Sequence, residues 1–193
     1  MNFVFKLDRV AIVERVLKGK DYRIVVLDDK IISAYQRLPL NVIGDGRSSV
    51  RDLLLAKQRQ FEKSGRDTVL KFNDYRIKAK LNRSHLSFES ILEKGRKISL
   101  LDNANLSSGG DSIDVTDNVH SGFAIIAIKL TKEMGLRLCG VDLMIEGDIK
   151  ERPKKYHVIE INSAPGLDNY SRIGEKQARI VEELYLEIVR AME

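Results

Sequence analysis

Three oxygen-bearing side chains sit where apolar ones would be expected. Asp142 lies in the middle of the apolar run LCGVDLMIEG, and Glu160 and Asn162 fall near the end of YHVIEINSAP. If both runs are strands, side chains alternate between faces, so Val158, Glu160 and Asn162 share one face while Ile159 and Ile161 take the other. Carboxylates among apolar neighbours are costly unless something pairs with them. A hard divalent cation is one such partner: Mg2+ takes oxygen ligands, uses one or two carboxylates, and completes its shell with water and phosphate oxygens. The alternative is internal, with an arginine on Glu160 and a turn-capping role for Asn162 ahead of Pro165 and Gly166. Spacing alone leaves both open.

A second constellation bears on the first. NANLSSGGDS, Asn103 to Ser112, places two glycines, three serines and two asparagines within ten residues. Such a loop can turn backbone N–H groups and hydroxyls toward an anion; it can also be only a turn. Beside carboxylates suited to Mg2+, it points to a nucleotide triphosphate. The GDG of Gly44 to Gly46 reads as a structural turn.

These groups need a scaffold. VAIVERV, DYRIVVLDD and KIISAYQR predict neighbouring antiparallel strands over 10–37, with LDDK as the turn between the last two. SSVRDLLLAKQRQFEKSG predicts a helix capped by Ser48 or Ser49 and stopped by Gly65. The basic, weakly periodic stretch 66–98 reads as a peripheral insertion, with a short helix at HLSFESILEKG. SGFAIIAIKLTKEMGL is an amphipathic helix capped by Ser121 and ended by Gly135, with Phe123, Ile126, Ala127, Leu130 and Met134 on one face. LCGVDLMIEG and YHVIEINSAP should pair as strands across the charged turn DIKERPKK. A last helix follows, its apolar face running through Ala178, Val181, Leu184, Tyr185, Ile188 and Met192. The expected class is α+β in two layers.

Bulk properties narrow the function classes. The 193 residues, 43% hydrophobic, suffice for one domain or two small lobes sharing a cleft. The single cysteine, Cys139, cannot form an internal disulfide, which favours a reducing compartment and a cytoplasmic address. No segment has the unbroken apolar length of a signal peptide or membrane span. The net charge of +5 is spread along the chain, and aromatics make up only 6%, so no aromatic-plus-basic ribbon for nucleic acid forms.

VERVLKGKDYRIVV, QRLPLNVIGDGRSSVRDLL, NANLSSGGDSIDVTDNVH, CGVDLMI and YHVIEINSAPGL together resemble the ATP-grasp carboxylate-amine ligases of the cyanophycin synthetase and bifunctional glutathione synthetase type. They run in the family's order and leave out only the middle of the chain. The resemblance implies an α+β ATP-grasp fold, its C-terminal lobe built on an antiparallel sheet with packed helices. It divides the chain into hinge and strands (1–48), a helix with a variable insertion (49–98) and a catalytic lobe that binds Mg2+ and ATP (99–193). It implies Glu14, Arg15 and Val16 at the adenine and Asp21 at the ribose. Asp142, Glu160 and Asn162 are implied as ligands of Mg2+ or Mn2+. Arg37, Asn105, Ser107 and Ser108 are implied at the substrate carboxylate or transferred phosphoryl, with Gly109 and Gly110 at the nucleotide. The implied reaction joins a carboxylate and an amine, on amino acids or short peptides, through an acyl phosphate. Arg37 reads equally well as a surface strand residue, and Asp21 as a turn residue.

The pattern departs from the family in two places. An arginine usually precedes the Asn-x-Asn-Leu-Ser run; here Leu101 stands there, with Arg47 or Arg96 as possible substitutes. The sequence also begins just before the hinge, so the first lobe, with its phosphate-binding lysine and glycine loop, is expected to be largely missing. A piece of a longer enzyme, a second chain supplying the other lobe, and a remnant that binds a nucleotide or partner without turnover are the readings this leaves. Self-association through the surface where that lobe would pack is a further expectation.

Overall fold

The computed structural model of the chain describes residues 5, 8–11 and 13–190. Two strands, β1 (Lys20–Leu27) and β2 (Lys30–Leu38), form the hairpin expected from the LDDK turn, with Asp28 at φ +53°. Next come β3 (Asn41–Ile43), helices α1 (Val50–Lys63) and α2 (Tyr75–Arg83), and β4 (Lys97–Ser99). They are followed by β5 (Asp111–Asp114), α3 (Ser121–Glu133), β6 (Leu138–Ile145), β7 (Tyr156–Asn162), α4 (Asp168–Ser171) and α5 (Glu175–Arg190). Five strands form one antiparallel sheet in the order β5-β2-β1-β6-β7, and β3 pairs with β4 separately.

Both faces of the large sheet are covered, so it is the middle of three layers rather than one of two. Alternation along β1 sends Tyr22, Ile24 and Val26 to one face, where they pack with Phe123 and Ala127 of α3 and Val141 and Leu143 of β6. Val25 and Leu27 point the other way with Tyr35, against Leu167, Tyr170, Val181 and Leu184 from the α4–α5 region. Tyr35 and Tyr170 stack at 5.3 Å between ring centres. Each such fully buried large side chain contributes on the order of 1.5–3 kcal/mol of transfer free energy.

Residues 40–101 enclose a second core. Leu40, Val42, Val50, Leu54 and Phe61 meet Leu70, Ile77, Leu81 and Leu92 there. The 66–98 stretch is therefore structural rather than peripheral. It holds α2, and HLSFESILEKG is a series of turns carrying one bridge, Ser49 to Ile91, instead of a helix.

Local signals explain the long helices. Ser49 Oγ accepts from Asp52 N–H and the Asp52 carboxylate accepts from Ser49 N–H, a capping box that starts α1. His120, not Ser121, caps α3, its Nδ1 accepting from Gly122 N–H at 2.9 Å. In α5 the buried stripe is Val181 and Leu184 with Ile180 and Ile188 partly covered, while Ala178 and Tyr185 face outward. Met192 lies outside the described residues.

The first expected strand, VAIVERV, is not one in its described residues, which leave out Ile12. Val10, Val13 and Val16 are 74%, 86% and 88% exposed in chain without regular structure. Beside β1 there is no place for it, because β2 and β6 already hold both sides of that strand.

Candidate functional site

The site forms where β2, β1, β6 and β7 lie side by side. Cross-strand register puts Arg37 opposite Asp21, Arg23 opposite Asp142, and Asp142 opposite Glu160. Partners directly opposed in an antiparallel sheet point to the same face, so these side chains gather beyond the edge of the α4–α5 layer. A β-bulge shifts the β6–β7 register between Asp142 and Leu143: Glu160 opposes Asp142, but Val158 opposes Leu143. The extra residue, Ile159, breaks the alternation and moves Val158 to the α3 side, away from the face it was expected to share with Glu160. Ile159 lines the cleft beside Glu160.

An ion-pair network occupies this face. Arg23 grips Asp142 with two parallel bonds, Nε to Oδ1 at 2.6 Å and Nη2 to Oδ2 at 2.7 Å. Arg37 Nη1 adds a contact to the same Oδ2 at 2.9 Å. The rest of the Arg37 guanidinium is bound by Asp21 Oδ1, from Nε at 2.9 Å and Nη2 at 2.7 Å. With its amide oriented to suit its neighbours, Asn162 donates to Glu160 Oε1 at 3.1 Å and accepts from Arg23 Nη2 at 3.1 Å. The Asp142 side chain is only 1% exposed, whereas Glu160 is open to solvent.

Burial and charge oppose each other at each group. Burial alone would push the Arg23 guanidinium down, but the bond to Asp142 wins and holds it above its ordinary value. Burial raises the Asp21 carboxyl above the usual range despite Arg37 beside it. Three carboxylates, Asp21, Asp142 and Glu160, face two guanidiniums, so the network carries one net negative charge.

The cleft above it measures about 450 Å3 and is lined by Lys20, Asp21, Arg37, Asn103, Asn105, Asp142, Ile159 and Glu160, among others. That is within the range of small-molecule sites. Through Asp102 and Asn103 it adjoins a second cavity, about 390 Å3, bordered by Arg76 and Arg83 of α2.

Other candidates lie elsewhere. Ser107 and Ser108 line a separate small cavity of about 130 Å3 with Lys71, Asp74 and Arg76. The SSGG backbone is turned inward: the N–H groups of Ser108 and Gly110 bond Asn105 O, and that of Gly109 bonds Leu106 O. Arg66 holds the opposite ends of this turn, donating to Leu106 O and Gly110 O while lying over the Phe61 ring at 4.1 Å. Gly109, at φ +93°, leaves no room for a Cβ, which would come within 2.4 Å of Leu70. The loop therefore serves packing, and the N–H groups of Ser108, Gly109 and Gly110 are spent on its own carbonyls. Glu14, Arg15 and Val16 are exposed and do not line the cleft. Leu101 is buried in the second core, and neither Arg47 nor Arg96 reaches the cleft. The cations of the ion-pair network are Arg37 and Arg23, while Lys20, which also lines the cleft, pairs with Asp148. Arg23 was not singled out from sequence, although a lone arginine in YRIVV mirrors the lone Asp142 in GVDLM.

Pro165 and Gly166 also find a reason. Pro165 packs so closely over Gly140 that a Cβ there would sit 2.8 Å from it. The break after β7 thereby folds the chain back over β6 beside the site.

Among the described residues, no three His, Cys, Asp or Glu side chains converge as a metal cluster. Two carboxylates and an amide, with a net negative charge, still suit a cation that draws its remaining ligands from phosphates and water. The donor set fits Mg2+ in that role, with the Asp142 oxygens shared with arginine.

Likeness to known proteins bears on the fold. The RimK-like ATP-grasp domain matches residues 100–184. The glutathione biosynthesis bifunctional protein GshAB of Clostridium perfringens is 35% identical over 171 residues, covering 86% of this chain and 22% of the relative. The protein of the same name from Enterococcus faecalis is 32% identical over 202 residues, covering 98% and 27%. The crystal structure of a bifunctional glutathione synthetase from Pasteurella multocida aligns with a TM-score of 0.69 at 30% identity, over 89% of this chain and 25% of that one. The chain thus spans about a quarter of the length of these relatives. With its antiparallel sheet and packed helices the chain has the C-terminal part of the ATP-grasp fold, and its residues 100–184 belong to the RimK-like ATP-grasp family.

Proposed function

We propose that the chain supplies the cation- and phosphate-facing lobe of an ATP-dependent carboxylate-amine ligase. The observation that carries this is the register placing Asp142 opposite Glu160 on the cleft face, beside two arginines. Asp142, Glu160 and Asn162 would hold Mg2+ or Mn2+, which when bound would supply charge neutralisation for the transferred phosphoryl group. Arg37 would orient the substrate carboxylate or the moving phosphoryl group with a planar fork suited to either. The carboxylate oxygen attacks the γ-phosphorus and ADP leaves; the amine then displaces phosphate from the acyl phosphate, leaving an amide. Asn103 and Asn105 line the wall of this cleft. The adjoining cavity bordered by Arg76 and Arg83 suits a second anionic end, as on an amino acid or short peptide. The relatives' printed role in glutathione biosynthesis supports that substrate class.

Asp21 would serve the nucleotide through Arg37, its present partner. Glu14, Arg15 and Val16 would reach the adenine only after the segment before β1 closes over the cleft. Gly109, Gly110, Ser107 and Ser108 would act by fixing the wall that carries Asn105.

Titration calorimetry with ATP, with and without Mg2+, should show cation-dependent binding that Glu160→Ala abolishes. Phosphate release with a panel of amino acids and dipeptides, the other lobe supplied as a second chain, should follow only when both substrates are present. ATP binding unaffected by Glu160→Ala would sink the assignment. A second reading, a nucleotide- or partner-binding module without turnover, draws on both Asp142 oxygens being held by arginine. Nucleotide binding without phosphate release from any pair would select it.

A further inference from the structure

The two arginines hold Asp142 in unequal ways. Arg23 uses both ends of its fork, at 2.6 and 2.7 Å, and is itself steadied by Asn162. Arg37 touches Asp142 through Nη1 alone, on an oxygen Arg23 already uses, while two of its nitrogens belong to Asp21. A cation held by the Asp142 carboxylate would bring a like charge against Arg37 Nη1, whose single contact is the weaker one to lose. Asp21 keeps the Arg37 side chain in place. Its freed Nη1, on a side chain only 10% exposed, then needs an acceptor that water supplies poorly. An anion in the cleft is such an acceptor.

We propose that Asp142 couples cation and anion binding by releasing Arg37 to the anion when the cation enters, with Arg23 as the positioning residue that keeps the Asp142 carboxylate aimed as Arg37 leaves. This rests on the reading of Asp142, Glu160 and Asn162 as cation ligands. Coupling of this kind is reciprocal: whatever factor the cation adds to anion affinity, the anion adds to cation affinity. Without the cation, Arg37 is neutralised by two carboxylates and attracts anions weakly. With it, one carboxylate is withdrawn.

The test uses Mn2+ as the cation, followed by electron paramagnetic resonance, and inorganic sulfate as the anion, on the full chain. Sulfate should tighten Mn2+ binding about tenfold, within the ordinary range of such couplings, and saturating Mn2+ should tighten sulfate by the same factor. Arg37→Gln should bind Mn2+ at least as well as the parent, since a competitor is gone, and should lose its response to sulfate. Asp142→Asn should bind sulfate more tightly without any cation. If that variant does not fold, judged by circular dichroism, the Arg37→Gln result decides. Arg23→Gln should weaken Mn2+ and broaden its spectrum, with Arg23→Lys restoring part of both. Mn2+ and sulfate binding independently in the parent, or Arg37→Gln weakening Mn2+ as much as Arg23→Gln, would overturn the coupling while leaving the ligase reading intact. Absence of Mn2+ binding would overturn both. Coupling without phosphate release in the substrate panel would remove the ligase reading alone.

Discussion

Asp142 and Asp102 each accept from two cationic side chains, in opposite surroundings. Asp142, 1% exposed, lies mid-sheet between Arg23 and Arg37. Asp102, 64% exposed, sits on the 40–101 surface between Lys80 and Arg83. One carboxylate with two cations thus makes two different devices. Buried, each member depends on the others to offset lost hydration, so removing one leaves charges stranded. Exposed, water and salt substitute for any missing partner. The cleft at the sheet's end is organised around charge, and the 40–101 region around its apolar core.

Substitutions should separate the two. Asp142→Ala, which leaves Arg23 and Arg37 facing each other in a buried setting, is expected to cost about 3–5 kcal/mol in urea unfolding. A loss below about 1 kcal/mol would erase the contrast. In the other region the large effect should come from an apolar residue: Leu54→Ala should cost roughly 3 kcal/mol, measured the same way. Asp114 sharpens the intermediate case. Its carboxylate accepts from Thr116 N–H at 2.9 Å, Thr116 Oγ at 2.6 Å and Gln177, joining edge strand β5 to α5. Burial pulls this group up, but those bonds prevail and hold it below the usual carboxylate range. A depressed carboxyl stabilises the fold above its unfolded pKa and loses that contribution as pH falls through the folded value. Asp114→Asn should therefore cost about 1 kcal/mol at neutral pH and flatten the decline of the melting temperature below about pH 4. Smallest of all, Asp102→Ala should change stability by less than about 1 kcal/mol, and the difference should vanish in high salt.

What could be read from sequence follows the same division between local and long-range causes. Helices α1 and α3 and the β1–β2 and β6–β7 hairpins carry their signals within a few residues: Ser49 with Asp52, the Asp28–Asp29 turn, Gly135 at φ +66°. VAIVERV has the composition of a strand, but pairing beside the next strand needs an open side of β1, and no residue in that run reveals that β2 and β6 take both. The 66–98 stretch looked peripheral because only Ile77 and Leu81 share a helix face, while Leu70 and Leu92 lie in irregular chain on either side, and their common core appears only in three dimensions. The Ser-Gly loop had the composition of an anion cradle, yet the amides of Ser108, Gly109 and Gly110 close on its own carbonyls. Arg23 was missed because pairing with Asp142 depends on a register 119 residues apart.

The bulge at Ile159 has a mechanical consequence. Because β7 carries one residue more than the ladder needs there, strain in the charged connection of residues 146–155 can be taken up at that point. Loop-length variants before Tyr156 should then alter solubility and the outer hairpin while Glu160 keeps its aim, so the Glu160 end of the strand is insulated from the charged loop that precedes it.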